Sequence, residues 1–149
     1  MALNLILGFA LPWGFGIYLY RRDRAIFLVS APFASVWAFL INSILFNLNF
    51  DRFIPLDSSN DLVTMSVNLG LYPVLGSYLV YLIKTQKISP YLLVLIFSVF
   101  TTGLEYLGLL FHIVSYQNGW NIGWTFLSYV LPYLMCYWYY RKLNQLNIF

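Results

Sequence analysis

The sequence predicts an all-α polytopic integral membrane protein, a single domain over residues 1–149 with five transmembrane helices in one bundle, on three observations. Of its 149 residues, 61% are hydrophobic and 9% charged, against roughly 45–50% and about 25% in soluble domains. That composition excludes a water-soluble globule. The apolar residues form continuous runs near the ~20 residues a helix needs to cross a hydrocarbon core about 30 Å thick, whereas barrel strands would alternate every second residue over about ten. The charges, finally, gather between those runs. Helices satisfy their own backbone groups in lipid, so a helical bundle follows.

The first span covers about residues 2–20 and ends at Arg21-Arg22-Asp23-Arg24. No basic region precedes it, so it is expected to be a retained span and not a cleaved signal. The second, about 25–50, is long enough to cross with some tilt, and a polar connection from Asp51 to Asp61 follows. The third, about 62–83, is closed by Lys84-Thr85-Gln86-Lys87. Pro90 opens the fourth, about 90–114, at a first-turn position where its missing donor costs nothing. The fifth, about 122–140, is followed by Arg141-Lys142.

Loop charge gives an orientation. With five spans, Arg21, Arg22, Arg24, Lys84, Lys87, Arg141 and Lys142 share one side, seven of the eight basic residues, and Arg52 alone lies opposite. The positive-inside rule then places the N-terminus outside and the C-terminus in the cytoplasm of a cell (inner or plasma) membrane. Tyr18, Tyr20, Tyr78, Tyr81, Tyr91 and the run Tyr137-Trp138-Tyr139-Tyr140 fall at the cytoplasmic ends, with Tyr116, Trp120 and Trp124 at the outer end, as amphipathic rings do at headgroup depth. Trp13 and Trp37 fall near mid-span. The net charge of +3 is spread over these topology clusters and forms no phosphate-binding stripe, so no nucleic-acid partner is expected.

Glu105 is the sole glutamate, about 15 residues past Pro90 and therefore near the bilayer midplane. Ser98, Thr101, Glu105, Gly108, His112 and Ser115 follow at steps of three and four residues, which marks one polar face on an apolar helix. A carboxylate at that depth is costly and must face the bundle interior, be paired or be protonated. Glu105 is thus a candidate ion- or proton-binding group. His112 lies seven residues on, about 10 Å along the axis, and one bridging group would make it a relay toward the outer surface. A structural reading stands beside this: a lone Glu can serve as an interhelical hydrogen bond.

Asn68 and Tyr72 on the third span, Thr101 on the fourth and Ser128 on the fifth can line a common polar interior. Asp61, Thr64 and Gly76 share the stripe of the third span, and Asn121, Thr125, Pro132 and Cys136 that of the fifth. Ala31, Ala34 and Ala38 form a small-residue strip on the second, suited to close helix contact. Pro73 and Pro132 each remove a backbone bond in mid-span, freeing a carbonyl or kinking the helix. One His and one Cys cannot supply a zinc site, so no metal and no cofactor are expected. No Gly-x-Ser-x-Gly turn supports a serine nucleophile.

The string Glu105-Tyr106-x-Gly108, followed by Trp120-Asn121, Trp124, Ser128-Tyr129 and a terminal aromatic-basic patch, resembles an uncharacterised family of small, roughly five-span bacterial membrane proteins. The likeness covers about the last 50 residues and implies topology but no activity. The expected function is an ion- or proton-linked permeation or transport component, acting in the lipid bilayer as a homo-oligomer or with a partner membrane subunit. Two alternatives stand: a non-catalytic subunit, assembly factor or sensor, and an intramembrane lipid-modifying enzyme with Glu105 and His112 as acid and base.

Overall fold

The computed structural model describes residues 5–53 and 60–148, and for 51–53 and 60–63 the backbone alone. The charges Asp51, Arg52, Asp57 and Asp61, which the sequence reading assigns to the outer loop, lie outside the described side chains. A π-helical turn, Ile6–Ala10, runs into α1, Leu11–Arg22. There follow α2, Arg24–Asn47; strand β1, Asp51–Phe53; α3, Asn60–Leu69; α4, Leu71–Thr85; α5, Pro90–Leu110; strand β2, Val114–Tyr116; and α6, Ile122–Gln145. The described residues are all-helical apart from two short strands and the connecting turns. Three helical stretches, Arg24–Asn47, Thr64–Thr85 and Pro90–Leu110, are long and apolar enough to cross a membrane.

The third expected span is two helices. Gly70, at φ −113° and ψ −81°, separates α3 from α4, and a Cβ there would lie 2.1 Å from the Gly8 carbonyl oxygen and 2.6 Å from the Phe9 Cα. The break is therefore where the N-terminal π turn presses onto the chain. Pro73 lacks the donor that would close on the Leu69 carbonyl four residues back, and the Trp13 indole Nε1 donates to that carbonyl instead, at 2.9 Å. Mid-span Trp13 thus has a local reason for its depth. The carbonyl freed by Pro73 is satisfied inside the protein, by a tryptophan and not by a cation.

Helix ends differ from the sequence reading for a common reason. At α2 the amide of Asn49 bonds the Phe46 carbonyl and that of Phe50 the Leu45 carbonyl; at α5 His112 bonds Leu109 and Ile113 bonds Gly108; at α6 Asn147 bonds Asn144 and Ile148 bonds Leu143. Asn49, His112 and Asn147 have φ of 53°, 55° and 55°. Each is the left-handed residue of a Schellman motif, which ends a helix by satisfying its last carbonyls. The second span consequently stops at Asn47 and the fourth at Leu110, short of the expected Phe50 and Val114. Beyond those ends, β1 and β2 pair antiparallel, Asp51 opposite Tyr116 and Phe53 opposite Val114. Two segments read as plain loops form a ribbon.

Helix α2 packs along α4, and α5 along α6; α6 also meets α2 and α4, while α1 rests on α2 and α4. The crossing of α2 and α4 is close because Gly76 faces Ala34, where a Cβ on the glycine would lie 2.6 Å from that of the alanine. Two apolar clusters, one containing Ile26, Leu79, Leu93 and Cys136 and the other Leu19, Phe27 and Val74, form the core. Both lie toward the end of the helices that carries the basic clusters. Asp23 caps α2 through the Ile26 amide at 3.1 Å and pairs with Lys84 at 2.9 Å, which joins the α1–α2 turn to the end of α4. Tyr91 at the start of α5 meets Tyr137 of α6, ring centroids 5.6 Å apart, one turn before Arg141 and Lys142. Arg21, Arg22, Arg24, Lys84, Lys87, Arg141 and Lys142 therefore gather at one end of the molecule, the basic end, with the ribbon at the other.

Candidate functional site

The polar centre is built where α5 and α6 run antiparallel. Thr101 and Glu105 stand one turn apart on α5, and Thr125, Tyr129 and Tyr133 stand one turn apart on α6. The two rows mesh: Thr101 Oγ1 lies 2.6 Å from Tyr133 Oη, and one turn along, the Glu105 carboxylate meets Tyr129 and Thr125. The ribbon adds a third wall. By fixing Tyr116 at its end it brings that phenol to Glu105 Oε1 at 2.6 Å.

Proton counting gives the network a direction, because each hydroxyl carries one proton. Tyr129 donates to Oε2, so in its 3.0 Å contact with Tyr72 the donor is Tyr72. Tyr116 donates to Oε1, so Thr125 donates to Tyr116, 2.7 Å away, in preference to the 3.3 Å contact with Oε1. Thr125 in turn accepts from Trp120 Nε1 at 2.9 Å. With the carboxyl ionised, two arms converge on it with their protons pointing toward it. They are not equivalent. The Trp120 arm begins at an indole that can only donate and is held by stacking on Phe50, ring centroids 5.1 Å apart, whereas the Tyr129–Tyr72 arm consists of hydroxyls and can reverse when the carboxyl takes up a proton.

Two cavities flank this centre. A cleft of about 710 Å³ lies between α1, α4 and α5, with apolar walls and with Thr101, Glu105, Tyr72 and Tyr129 among its lining residues. On the other side of the tyrosine pair, a cavity of about 30 Å³ is bounded by Asn42, Tyr72, Ser128 and Tyr129, large enough for water, which needs roughly 10–15 Å³ by the same measure. Tyr72 and Tyr129 line both.

The residues singled out from sequence distribute unevenly over this geometry. Tyr72 joins Glu105 through Tyr129. Thr101 bonds Tyr133 and the Phe97 carbonyl. Asn68 belongs to a separate seam: its side-chain oxygen accepts from Asn42 Nδ2 at 2.5 Å and its carbonyl from Ser35 Oγ at 2.8 Å. Ser128 Oγ donates to the Thr125 carbonyl and borders the small cavity. Ser98 Oγ is buried without a hydrogen-bond partner. His112 is exposed, in the left-handed turn after α5, and no atom of it enters the network; the Schellman motif turns it off the helical face on which three- and four-residue steps had placed it.

Tyr116, Trp120 and Tyr129 are members of the candidate site that sequence reasoning missed, the first two because interfacial anchoring accounted for them. The available signal was the four-residue spacing Thr125, Tyr129, Tyr133, a hydroxyl row matching Thr101 and Glu105. Among the described residues no cluster of His, Cys, Asp and Glu could hold a metal ion. Comparison with protein-family models, curated proteins and solved structures finds no match to this chain.

Proposed function

We propose that the chain is a five-span protein of the cell membrane, N-terminus outside and C-terminus cytoplasmic, that serves as a proton- or ion-linked permeation or transport component with Glu105 as its exchanging carboxylate. Five spans require α1 and α6 to cross as well. The π turn of five residues and the twelve of α1 together reach the lower end of the ~17–25 residues that span a bilayer. Helix α6 has 24 residues, long enough, and its lower hydropathy comes from its tyrosines and tryptophans, residues suited to interfaces, and from Arg141, Lys142, Asn144 and Gln145 at its end. The gathering of seven basic residues at one end supports the orientation.

The observation that carries the function is the reversible hydroxyl arm. A carboxylate kept only for structure would be served by fixed donors, as on the Trp120 side. The Tyr129–Tyr72 arm instead connects Glu105 to a water-sized cavity whose walls are largely apolar and whose polar groups include Asn42 and Ser128, so a proton arriving there reaches the carboxyl by reorienting two phenols. The groups that meet Glu105 are Tyr116 from the ribbon and Thr125 and Tyr129 from α6, with Tyr72 of α4 behind Tyr129; none carries a positive charge. Glu105 therefore alternates between a proton and another cation as its partner.

Proteoliposomes holding a pH-sensitive dye test this reading. Wild type is expected to move protons down an imposed gradient and Glu105→Gln to move none above empty vesicles. Equal flux in both, or none in either, overturns it.

A further inference from the structure

We propose that the cleft between α1, α4 and α5 is the binding site of a hydrophobic monocation, an amphiphilic ammonium compound that enters sideways from the bilayer and sets its charged group against Glu105. The inference rests on the reading of Glu105 as an exchanging carboxylate and names its other ligand.

The size comes from the cleft itself, whose volume of about 710 Å³ falls within the roughly 300–1,000 Å³ typical of small-molecule sites. The lateral entry comes from its lips. Leu11 and Phe15 of α1 and Ile96, Phe100 and Leu107 of α5 all line it, and each is about half exposed, from 48% to 58%. Side chains of this kind face hydrocarbon at little cost and face water at high cost, so the opening suits a ligand already dissolved in the membrane.

The charge of the ligand comes from the inner end. Among the described lining residues Glu105 is the sole carboxylate, and none is Lys, Arg or His. All hydrogen bonds from the protein reach it from donors. Oε1 accepts from Tyr116, with Thr125 Oγ1 a further 3.3 Å away, and Oε2 accepts from Tyr129, while a carboxylate offers about four acceptor sites. One acceptor position on Oε2 is left for a donor from the cleft. An ionised carboxylate so placed lacks a countercharge, and a bound ammonium supplies both the charge and the donor. The rings of Tyr72 and Tyr129, centroids 5.9 Å apart, line the same end and add the cation–π attraction such groups prefer. An anionic amphiphile would meet like charge, and a neutral one would leave the carboxylate uncompensated. Proton and ammonium then compete for one group, which couples their movement.

Three probes with one apolar body separate the possibilities: phenylbutylammonium, phenylbutanol and phenylbutanoate, equilibrated with the protein in lipid nanodiscs against empty nanodiscs. The ammonium is expected to be retained about tenfold more strongly than either of the others, and Glu105→Gln to abolish that preference. Leu107→Trp, at an exposed position on the cleft lip, should weaken ammonium retention. Retention of the alcohol equal to that of the ammonium, or a preference that survives Glu105→Gln, overturns the proposal. If proton movement still depends on Glu105 in that event, the reading of the carboxylate stands and the ligand class alone falls; if proton movement is lost as well, both fall.

Discussion

Thr125 performs two tasks with one oxygen, accepting from the Trp120 indole and donating to Tyr116. Replacing it by valine keeps the shape and removes both bonds, which leaves the half-buried indole N–H without its acceptor. We expect Thr125→Val to lose about 1–3 kcal/mol of stability, read from unfolding in mixed micelles, with proton movement retained because Tyr116 and Tyr129 still donate to Glu105. At this scale the sequence was legible for the charge and illegible for its partners. Glu105 stood out because it was a charge with no topological role. Tyr116 and Trp120 did not, since their positions near a helix end already had a sufficient explanation in headgroup anchoring; the ribbon that turns them inward depends on pairing between segments over 60 residues apart in sequence.

Among the elements, the break between α3 and α4 shows how a local sequence signal acquires its meaning from a distant contact. Pro73 announced a missing bond, and the structure supplies the replacement from Trp13, 56 residues away in sequence. Gly70 is needed because the N-terminal π turn lies against it with no room for a Cβ. Gly70→Ala is therefore expected to destabilise the protein by about 1–3 kcal/mol, measured by thermal unfolding in detergent, whereas Gly14→Ala, at a helical position whose Cβ would meet nothing within 4 Å, should be neutral or mildly stabilising. The helical class and three helices long and apolar enough to cross a membrane followed from hydropathy, because lipid favours continuous apolar runs. Span ends did not, because left-handed caps formed by Asn49 and His112 carry no hydrophobic signature.

For the molecule as a whole, the apolar clusters lie toward the basic end, which is tied together, and the polar centre lies away from it. Asp23 contributes to that tie. Burial alone would raise its carboxyl, but the Lys84 ammonium and the amides of Ile26 and Ala25 hold it below the ordinary carboxylate value. A carboxyl held low in the folded state stabilises above its unfolded value near pH 4, and that contribution disappears as pH falls through the folded value. Thermal stability should accordingly decline in acid below about pH 4, and Asp23→Asn should flatten that decline while lowering stability at neutral pH. The gathering of the basic clusters at this end was legible from the parity of five runs and the placement of charges between them. The cleft was not, because it is a property of how α1 and α5 stand apart on α4.

The central claim is that Glu105 exchanges a proton within the membrane-embedded part of the protein. Infrared difference spectroscopy of lipid-reconstituted protein, titrated over the pH range in which it stays folded, tests this most directly. Wild type is expected to show a carboxylic-acid C=O band that exchanges reversibly with a carboxylate band and is absent from Glu105→Gln. A spectrum without any pH-dependent carboxyl band assignable to Glu105 would contradict it.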